Sequence, residues 1–331
     1  MNVRRLIPAT ATAAAVSLGL VTLSACGGSS SAADGKNADG KLNVIASFYP
    51  MQYLAEQIGG DKVNVSTLTK PGVEPHDLEL KPKQTAELSD ADLIVYLKGL
   101  QPAVDEAVQQ SGAKSTVDAS TLTKLEAHGT EAGGHEHGAE EEAGHEGHDH
   151  GHDHGAEGAS DPHVWLDPVK FAEVAKGVGA ALEKADPDNA ATYKKNTGTL
   201  VTKLDGLNTA FKDGLKNTTT KTFITTHAAF GYLAERYGLE QEGISGVDPE
   251  SEPSPARIKQ LQKIAKDDKV STVFFETLVS DKTAKTVAKD AGLKTDVLDP
   301  LEGITDRSKG SDYLEVMKSN LAALQKALGA K

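Results

Sequence analysis

With 331 residues and 38% hydrophobic side chains, the chain has room for one or two domains with real cores but not for a large multidomain enzyme. Its 35 Lys and Arg against 48 Asp and Glu give a net charge of −13, which argues against the phosphate backbone of nucleic acid as a partner and points to cations. A single Cys rules out intramolecular disulfides, Cys-pair zinc sites and iron–sulfur clusters held by this chain alone, so metal chemistry must use His and carboxylate.

At the N-terminus, Arg4 and Arg5 precede an uncharged, Ala- and Leu-rich stretch over residues 6–23, the pattern of a secretory signal peptide. The stretch ends in Leu23-Ser24-Ala25-Cys26, which resembles a bacterial lipobox. That resemblance implies a signal peptide over residues 1–25 and a lipid anchor at Cys26, holding the protein to the outer face of the bacterial cytoplasmic membrane. An ordinary leader with a chance Cys, or an uncleaved membrane anchor, are the alternatives. Residues 26–40 are Gly-, Ser- and Ala-rich without apolar periodicity and are expected to form a flexible tether.

From residue 41 onward, short β-like runs alternate with helical ones. Strands are predicted over 42–48, 63–68, 93–97 and 115–118, and helices over 51–58, 82–89 and 101–110. Strands alternating with helices imply βαβ units and parallel sheet. The second half repeats the pattern, with strands over 222–226, 270–275 and 295–298 and helices over 228–237, 255–267, 281–290 and 312–328. Between the halves, Leu200, Leu204, Leu207, Phe211 and Leu215 recur at spacings of three and four, one apolar stripe on a long helix. The expected fold class is α/β: an N-terminal lobe (41–186), a linking helix (187–216) and a C-terminal lobe (217–331), with a ligand in the cleft between lobes.

Charge and histidine are concentrated in one place. Residues 125–160 carry ten acidic residues, no Lys or Arg, and eight of the eleven His, leaving the rest of the chain at −3. The segment 128–158 is almost wholly Gly, His, Glu, Asp and Ala; it cannot bury a core and is expected to be a disordered insertion in the first lobe. Imidazoles and carboxylates both ligate divalent metals, so His128, His135, His137, His145, His148, His150, His152 and His154 are candidate accessory, weak metal ligands. A solvated, pH-responsive linker is the other reading of the same composition.

Outside the tract only His76, His163 and His227 remain. His76 lies in the loop after the second predicted strand, where open α/β sheets place ligands. His163 sits in a turn with Pro162 and Pro168 around it, and His227 stands between a strand and a helix. A lone His is more often a hydrogen-bonded structural residue than a ligand. Three such placements in a chain that also carries a His-rich tract shift that balance.

Four stretches carry a family resemblance: Glu74-Pro75-His76-Asp77; Asp161-Pro162-His163-Val164-Trp165-Leu166-Asp167-Pro168; Thr226-His227-Ala228-Ala229-Phe230-Gly231-Tyr232; and Leu298-Asp299-Pro300-Leu301-Glu302-Gly303. They are similar to the signature stretches of the zinc and manganese solute-binding proteins of ABC transporters, in particular the zinc branch with a His-rich loop. The similarity extends over essentially all of residues 41–331. It implies two α/β lobes with mainly parallel sheets, one rigid linking helix, and a metal at the interface held by two ligands from each lobe. Those ligands would be His76 and His163, then His227 and a carboxylate, with Glu302 favoured and Asp299 the alternative; Glu276 is a further acidic candidate, read as structural. Manganese members of the family use a second carboxylate shortly after the third His, and residues 244–247 contain none. Three imidazoles and one carboxylate suit tetrahedral zinc, whereas manganese prefers more oxygen.

The expectation is therefore an extracytoplasmic Zn²⁺-binding component of an ABC uptake transporter rather than an enzyme, working as a monomer with a membrane permease and its ATPase. A manganese or other divalent-metal binder, or a zinc-binding adhesin or store without a permease, would share the site. A zinc hydrolase ranks last: a carboxylate closes the set of ligands, and the chain has no His-Glu-x-x-His, Ser elbow or Gly-rich phosphate loop.

Overall fold

The computed structural model describes residues 40–128 and 160–331. The predicted signal peptide, most of the predicted tether with Cys26, and His135, His137, His145, His148, His150, His152 and His154 lie outside the described residues.

The first lobe is built on β1 (Leu42–Ala46), α1 (Tyr49–Gly59), β2 (Val63–Thr67), α2 (Pro82–Asp90), β3 (Leu93–Tyr96), α3 (Pro102–Gln110) and β4 (Thr116–Asp118). The strands lie in the order β2-β1-β3-β4, all parallel, with Val44 opposite Val65 on one side and Leu93 on the other. Leu93, Ile94 and Val95 of β3 are all buried, as expected of a parallel strand covered on both faces. At the edge, β2 alternates instead and leaves Asn64 and Ser66 outside.

Next comes α4 (Pro168–Ala185), which the periodicity reading passed over although its signals are present. Asp167 accepts a hydrogen bond from the Val169 N–H at 2.9 Å, Pro168 occupies the first turn, and Phe171, Val174, Val178 and Leu182 form the buried stripe. The long α5 (Ala190–Leu215) follows, and its five predicted stripe residues are all buried.

The second lobe contains β5 (Thr222–Thr225), α6 (Gly231–Tyr237), β6 (Glu240–Gly243), α7 (Pro255–Asp267), β7 (Thr272–Phe275), α8 (Lys282–Ala291), β8 (Lys294–Val297) and α9 (Tyr313–Leu328). Its strand order is β6-β5-β7-β8, again all parallel, so the two lobes share one topology. The unpredicted β6 reads Glu-Gln-Glu-Gly, an edge strand whose polar residues hide the pattern.

Two differences from the predicted elements bear on function. First, α6 starts at Gly231, not at 228: the Ala228 N–H donates to the Gly246 carbonyl at 2.8 Å, and the His227 carbonyl accepts from Thr225 Oγ1 at 2.7 Å. These bonds hold residues 227–230 as a loop. Second, His128 does not belong to a free tract. Its Nδ1 lies 3.0 Å from Asp161 Oδ2 and its Nε2 2.9 Å from Glu235 Oε2, and two carboxylates fix the ring.

Helix α5 packs on α1 and α4 of the first lobe and on α6 and α9 of the second. One apolar cluster runs from Leu54 through Trp165 and Leu204 to Phe230 and Tyr313, and smaller clusters fill the far side of each sheet. The carboxyl ends of both sheets face the interface, and the loops leaving β2, β4, β5, β7 and β8 supply the polar residues described below.

Candidate metal centre

The loop after β2 contributes His76, and the turn before α4 contributes His163. The loop after β5 contributes His227, and the loop after β8 contributes Glu302. One ligand atom from each of the four lies within 4.8 Å of the others. Glu302 Oε1 is the hub: His163 Nε2 is 3.1 Å away, and His76 Nε2 and His227 Nε2 are each 3.3 Å away. His163, His227 and Glu302 are buried, and only the His76 side chain keeps an edge to solvent, at 10%.

The ring orientations are set from behind. Asp161 Oδ1 lies 2.7 Å from His163 Nδ1 and accepts the His163 backbone N–H at 2.9 Å. Glu276, leaving β7, lies 2.6 Å from His227 Nδ1 and also accepts from Thr226 Oγ1. In each case a carboxylate takes the Nδ1–H and turns Nε2 toward the cleft, which also raises the basicity of that nitrogen. Asp161 and Glu276 lay in the sequence beside His163 and at the end of the third second-lobe strand; the signal for their role is a carboxylate near a His, which is too common to be read from sequence alone.

Glu302 owes its position to a strained turn. Leu301 is buried at φ +59°, a left-handed conformation costing about 1–2 kcal/mol in a branched residue. Three contacts hold it: the Leu301 N–H donates to Asp299 Oδ1 at 2.9 Å, Asn320 Nδ2 donates to the Asp299 carbonyl at 2.7 Å, and Trp165 Nε1 donates to the Pro300 carbonyl at 2.7 Å. The other Asp299 oxygen accepts from Thr277 Oγ1 at 3.2 Å. Asp299 thus braces the turn from behind, and Glu302 is the carboxylate that faces the three imidazoles.

The electrostatics are those of a cation cage. Burial pushes the Glu302 carboxyl up, but the nearby His227 imidazole and the hydrogen bonds to His163 and His76 reverse this and hold it well below the usual carboxylate range. Burial likewise disfavours charge on His163 and His227. The Asp161 carboxylate outweighs it for His163, and Glu276 with Glu302 for His227, so both titrate above an ordinary histidine. Glu74, whose Oε1 accepts the His76 N–H at 3.1 Å, is pushed up to about 9 by burial and by Glu302. His227 Nε2 and Glu302 Oε2 are buried without a hydrogen-bond partner among protein groups. Unpaired buried atoms of this kind cost about 1–3 kcal/mol each, and a coordinated cation removes that penalty.

Comparison with known proteins gives the same picture at the level of the whole chain. The family model for ZnuA, "Zinc-uptake complex component A periplasmic", matches residues 44–327. The high-affinity zinc uptake system protein ZnuA of Bacillus subtilis is 39% identical over 315 residues, 93% of this chain and 94% of that protein. The zinc-binding lipoprotein AdcA of Streptococcus pneumoniae is 37% identical over 296 residues, 88% of this chain; the match spans 56% of AdcA, little more than half its length. Among solved structures, the Zn(II)-bound ZnuA-like domain of S. pneumoniae AdcA superposes with a TM-score of 0.70 at 35% identity, covering 87% of this chain and 99% of that domain. The chain belongs to the ZnuA family of periplasmic zinc-uptake complex components.

Proposed function

We propose that the chain captures Zn²⁺ outside the cytoplasmic membrane with His76, His163, His227 and Glu302 and delivers it to a membrane permease driven by an ATPase. The observation that carries this reading is the convergence of three Nε2 atoms on one buried carboxylate oxygen, at 3.1–3.3 Å, each of the two most buried rings being oriented by its own carboxylate. Three neutral imidazoles and one carboxylate form a complete tetrahedral set for zinc, and leave no open position for an activated water. Zinc here is cargo. Release separates the ligand pairs contributed by the two lobes, a movement that the docked permease would bias.

In this reading residues 1–25 are a leader removed on export, Cys26 is the acylated first residue, and residues 26–40 tether a monomer to the membrane. Among the described residues no helix is long and apolar enough to cross a membrane, which is consistent with attachment through the N-terminal segment. Seven tract histidines, His135 to His154, would collect zinc weakly and raise its local concentration near the cleft.

Competitive zinc calorimetry tests the site. The full chain should bind one Zn²⁺ tightly, and His163→Ala should abolish that step. Tight binding unaffected by His163→Ala would overturn the assignment. Zinc-limited growth of a deletion strain separates uptake from storage, and release of a Cys26→Ser protein into the medium tests the anchor.

A further inference from the structure

A hollow of about 480 Å³ opens beside the carboxyl-terminal part of α5, at the amino end of β5 and so at the opposite end of that strand from His227. Two helices end there. Lys212 lies in the last turn of α5 and Lys216 is its C-cap residue, Arg236 lies in the last turn of α6, and Lys221 immediately precedes β5. Helix carboxyl termini carry partial negative charge and favour cations, which accounts for each basic side chain taken singly. Their convergence goes further: four cations line one hollow in a chain of net charge −13, and among the described residues no carboxylate lines it.

These cations are only partly engaged. Arg236 gives Nε and Nη2 to the buried Asp167 at 2.8 and 2.6 Å, and its Nη1 has no protein partner among the described residues. Lys216 meets Asp213 at 3.4 Å with the two side chains 62% and 66% exposed, a pair worth little in water. Lys221 reaches the Leu215 carbonyl, a neutral acceptor, at 3.5 Å, and Lys212 has no hydrogen-bond or ion-pair partner among the described residues. A neutral donor completes the set: Tyr237 Oη donates to Asn208 Oδ1 at 3.1 Å, which leaves Asn208 Nδ2, at the wall of the hollow, without a protein partner among the described residues.

Asp167 fixes the Arg236 fork, while the lysines supply adjustable point charges, a combination that suits the several oxygens of a phosphate group better than the two of a carboxylate. The volume falls within the range of small-molecule sites, about 300–1,000 Å³, and admits a phosphate that carries a substituent. We infer that Asn208, Lys212, Lys216, Lys221 and Arg236 form a binding site for a phosphate-bearing anion, either inorganic phosphate or the phosphodiester of an anionic headgroup. The inference is independent of the zinc reading, because none of these residues contributes to the metal centre and the hollow lies at the other end of β5.

The test titrates the full, metal-free chain at pH 8, where ordinary imidazoles are uncharged and the His-rich tract attracts no anion. Calorimetry with inorganic phosphate and, separately, with glycerophosphoglycerol distinguishes the two sources, and at least one of these probes should bind saturably at one site per chain. Lys212→Gln/Lys221→Gln, which removes the two ammonium groups that lack an acidic partner, should weaken that binding about tenfold or more. Lys194→Gln/Lys259→Gln, which removes two lysines elsewhere, should leave it within about twofold. All four lysines are exposed, so both double variants keep the fold. Binding of glycerophosphoglycerol alone would identify the headgroup as the ligand, and binding of phosphate alone the free ion. Saturable binding of neither probe, or a loss in Lys212→Gln/Lys221→Gln no greater than in Lys194→Gln/Lys259→Gln, would overturn the inference.

Discussion

Trp165 Nε1 donates to the Pro300 carbonyl at 2.7 Å, a hydrogen bond from the turn that carries His163 in the first lobe to the turn that carries Glu302 in the second. Trp165 is fully buried, packs edge-on against Phe48 at 4.9 Å, and its carbonyl accepts from Tyr313 Oη at 2.5 Å. Trp165→Phe keeps an aromatic ring but orphans the Pro300 carbonyl inside the core. We expect a loss of about 2–3 kcal/mol in urea unfolding, from the unsatisfied acceptor and the smaller ring. Zinc affinity should fall as well, because Leu301 loses one of the contacts that hold its left-handed backbone. Wild-type affinity in a destabilised Trp165→Phe protein would show that Glu302 is positioned by the Asp299 contacts alone.

The carboxylates behind the imidazoles should matter nearly as much as the ligands. Glu276→Gln leaves an acceptor for His227 Nδ1 without the charge, and should weaken zinc binding about 10–100-fold. Asp161→Asn should weaken zinc binding in the cleft to a similar degree, since the same kind of carboxylate contact orients His163. Asp299→Asn is the contrast: it should lower the melting temperature but change zinc affinity less than Glu276→Gln. Affinities measured by competition with a zinc chelator decide the order.

Much of this architecture was legible in the chain because parallel strands and amphipathic helices leave periodic marks. The α5 stripe of Leu200, Leu204, Leu207, Phe211 and Leu215 is buried as spaced, and His76, His163 and His227 converge although 151 positions separate the first from the last. What escaped did so for physical reasons. The strand β6 is an edge whose Glu240, Gln241 and Glu242 keep company with solvent and side-chain partners, so no apolar run marks it. The start of α6 was displaced because the backbone of residues 227 and 228 is bonded across the loop to Thr225 and Gly246, partners that no local pattern announces. His128 looked like one more tract imidazole, since the residues that hold it lie 33 and 107 positions away.

Zinc binding should release protons, and the sign follows from the cleft. The bound imidazoles must be neutral. In the metal-free protein, burial disfavours charge on His163 and His227, but Asp161 for the one and Glu276 with Glu302 for the other raise both above the ordinary histidine value of 6.5. Protons therefore compete with zinc at neutral pH, and affinity should decline steadily as pH is lowered from 8 to 6. Calorimetry in buffers of different ionisation enthalpy should give a positive proton count released per zinc at pH 7. Equal apparent enthalpies in all buffers would contradict this.

Asp296, remote from the metal centre, should make stability fall in acid. It lies in β8 with Oδ1 2.9 Å from Lys309 Nζ and Oδ2 2.9 Å from Lys326 Nζ of α9, and its Oδ1 also accepts the Val297 N–H at 2.9 Å. Partial burial pushes its carboxyl up, but the two lysines outweigh this and lower it to about 2. The folded value lies below the unfolded one of about 3.9, so the contribution is fully present above roughly pH 5 and is lost as pH falls toward 2. The lysine side chains are 49% and 75% exposed, and solvent screening reduces the worth of the cluster to about 1 kcal/mol. Asp296→Asn should therefore cost about 1 kcal/mol in urea unfolding at pH 7 and progressively less at pH 4 and pH 3. A difference between the two proteins that stays constant from pH 7 to pH 3 would show that Asp296 acts through its hydrogen bonds and not through its charge.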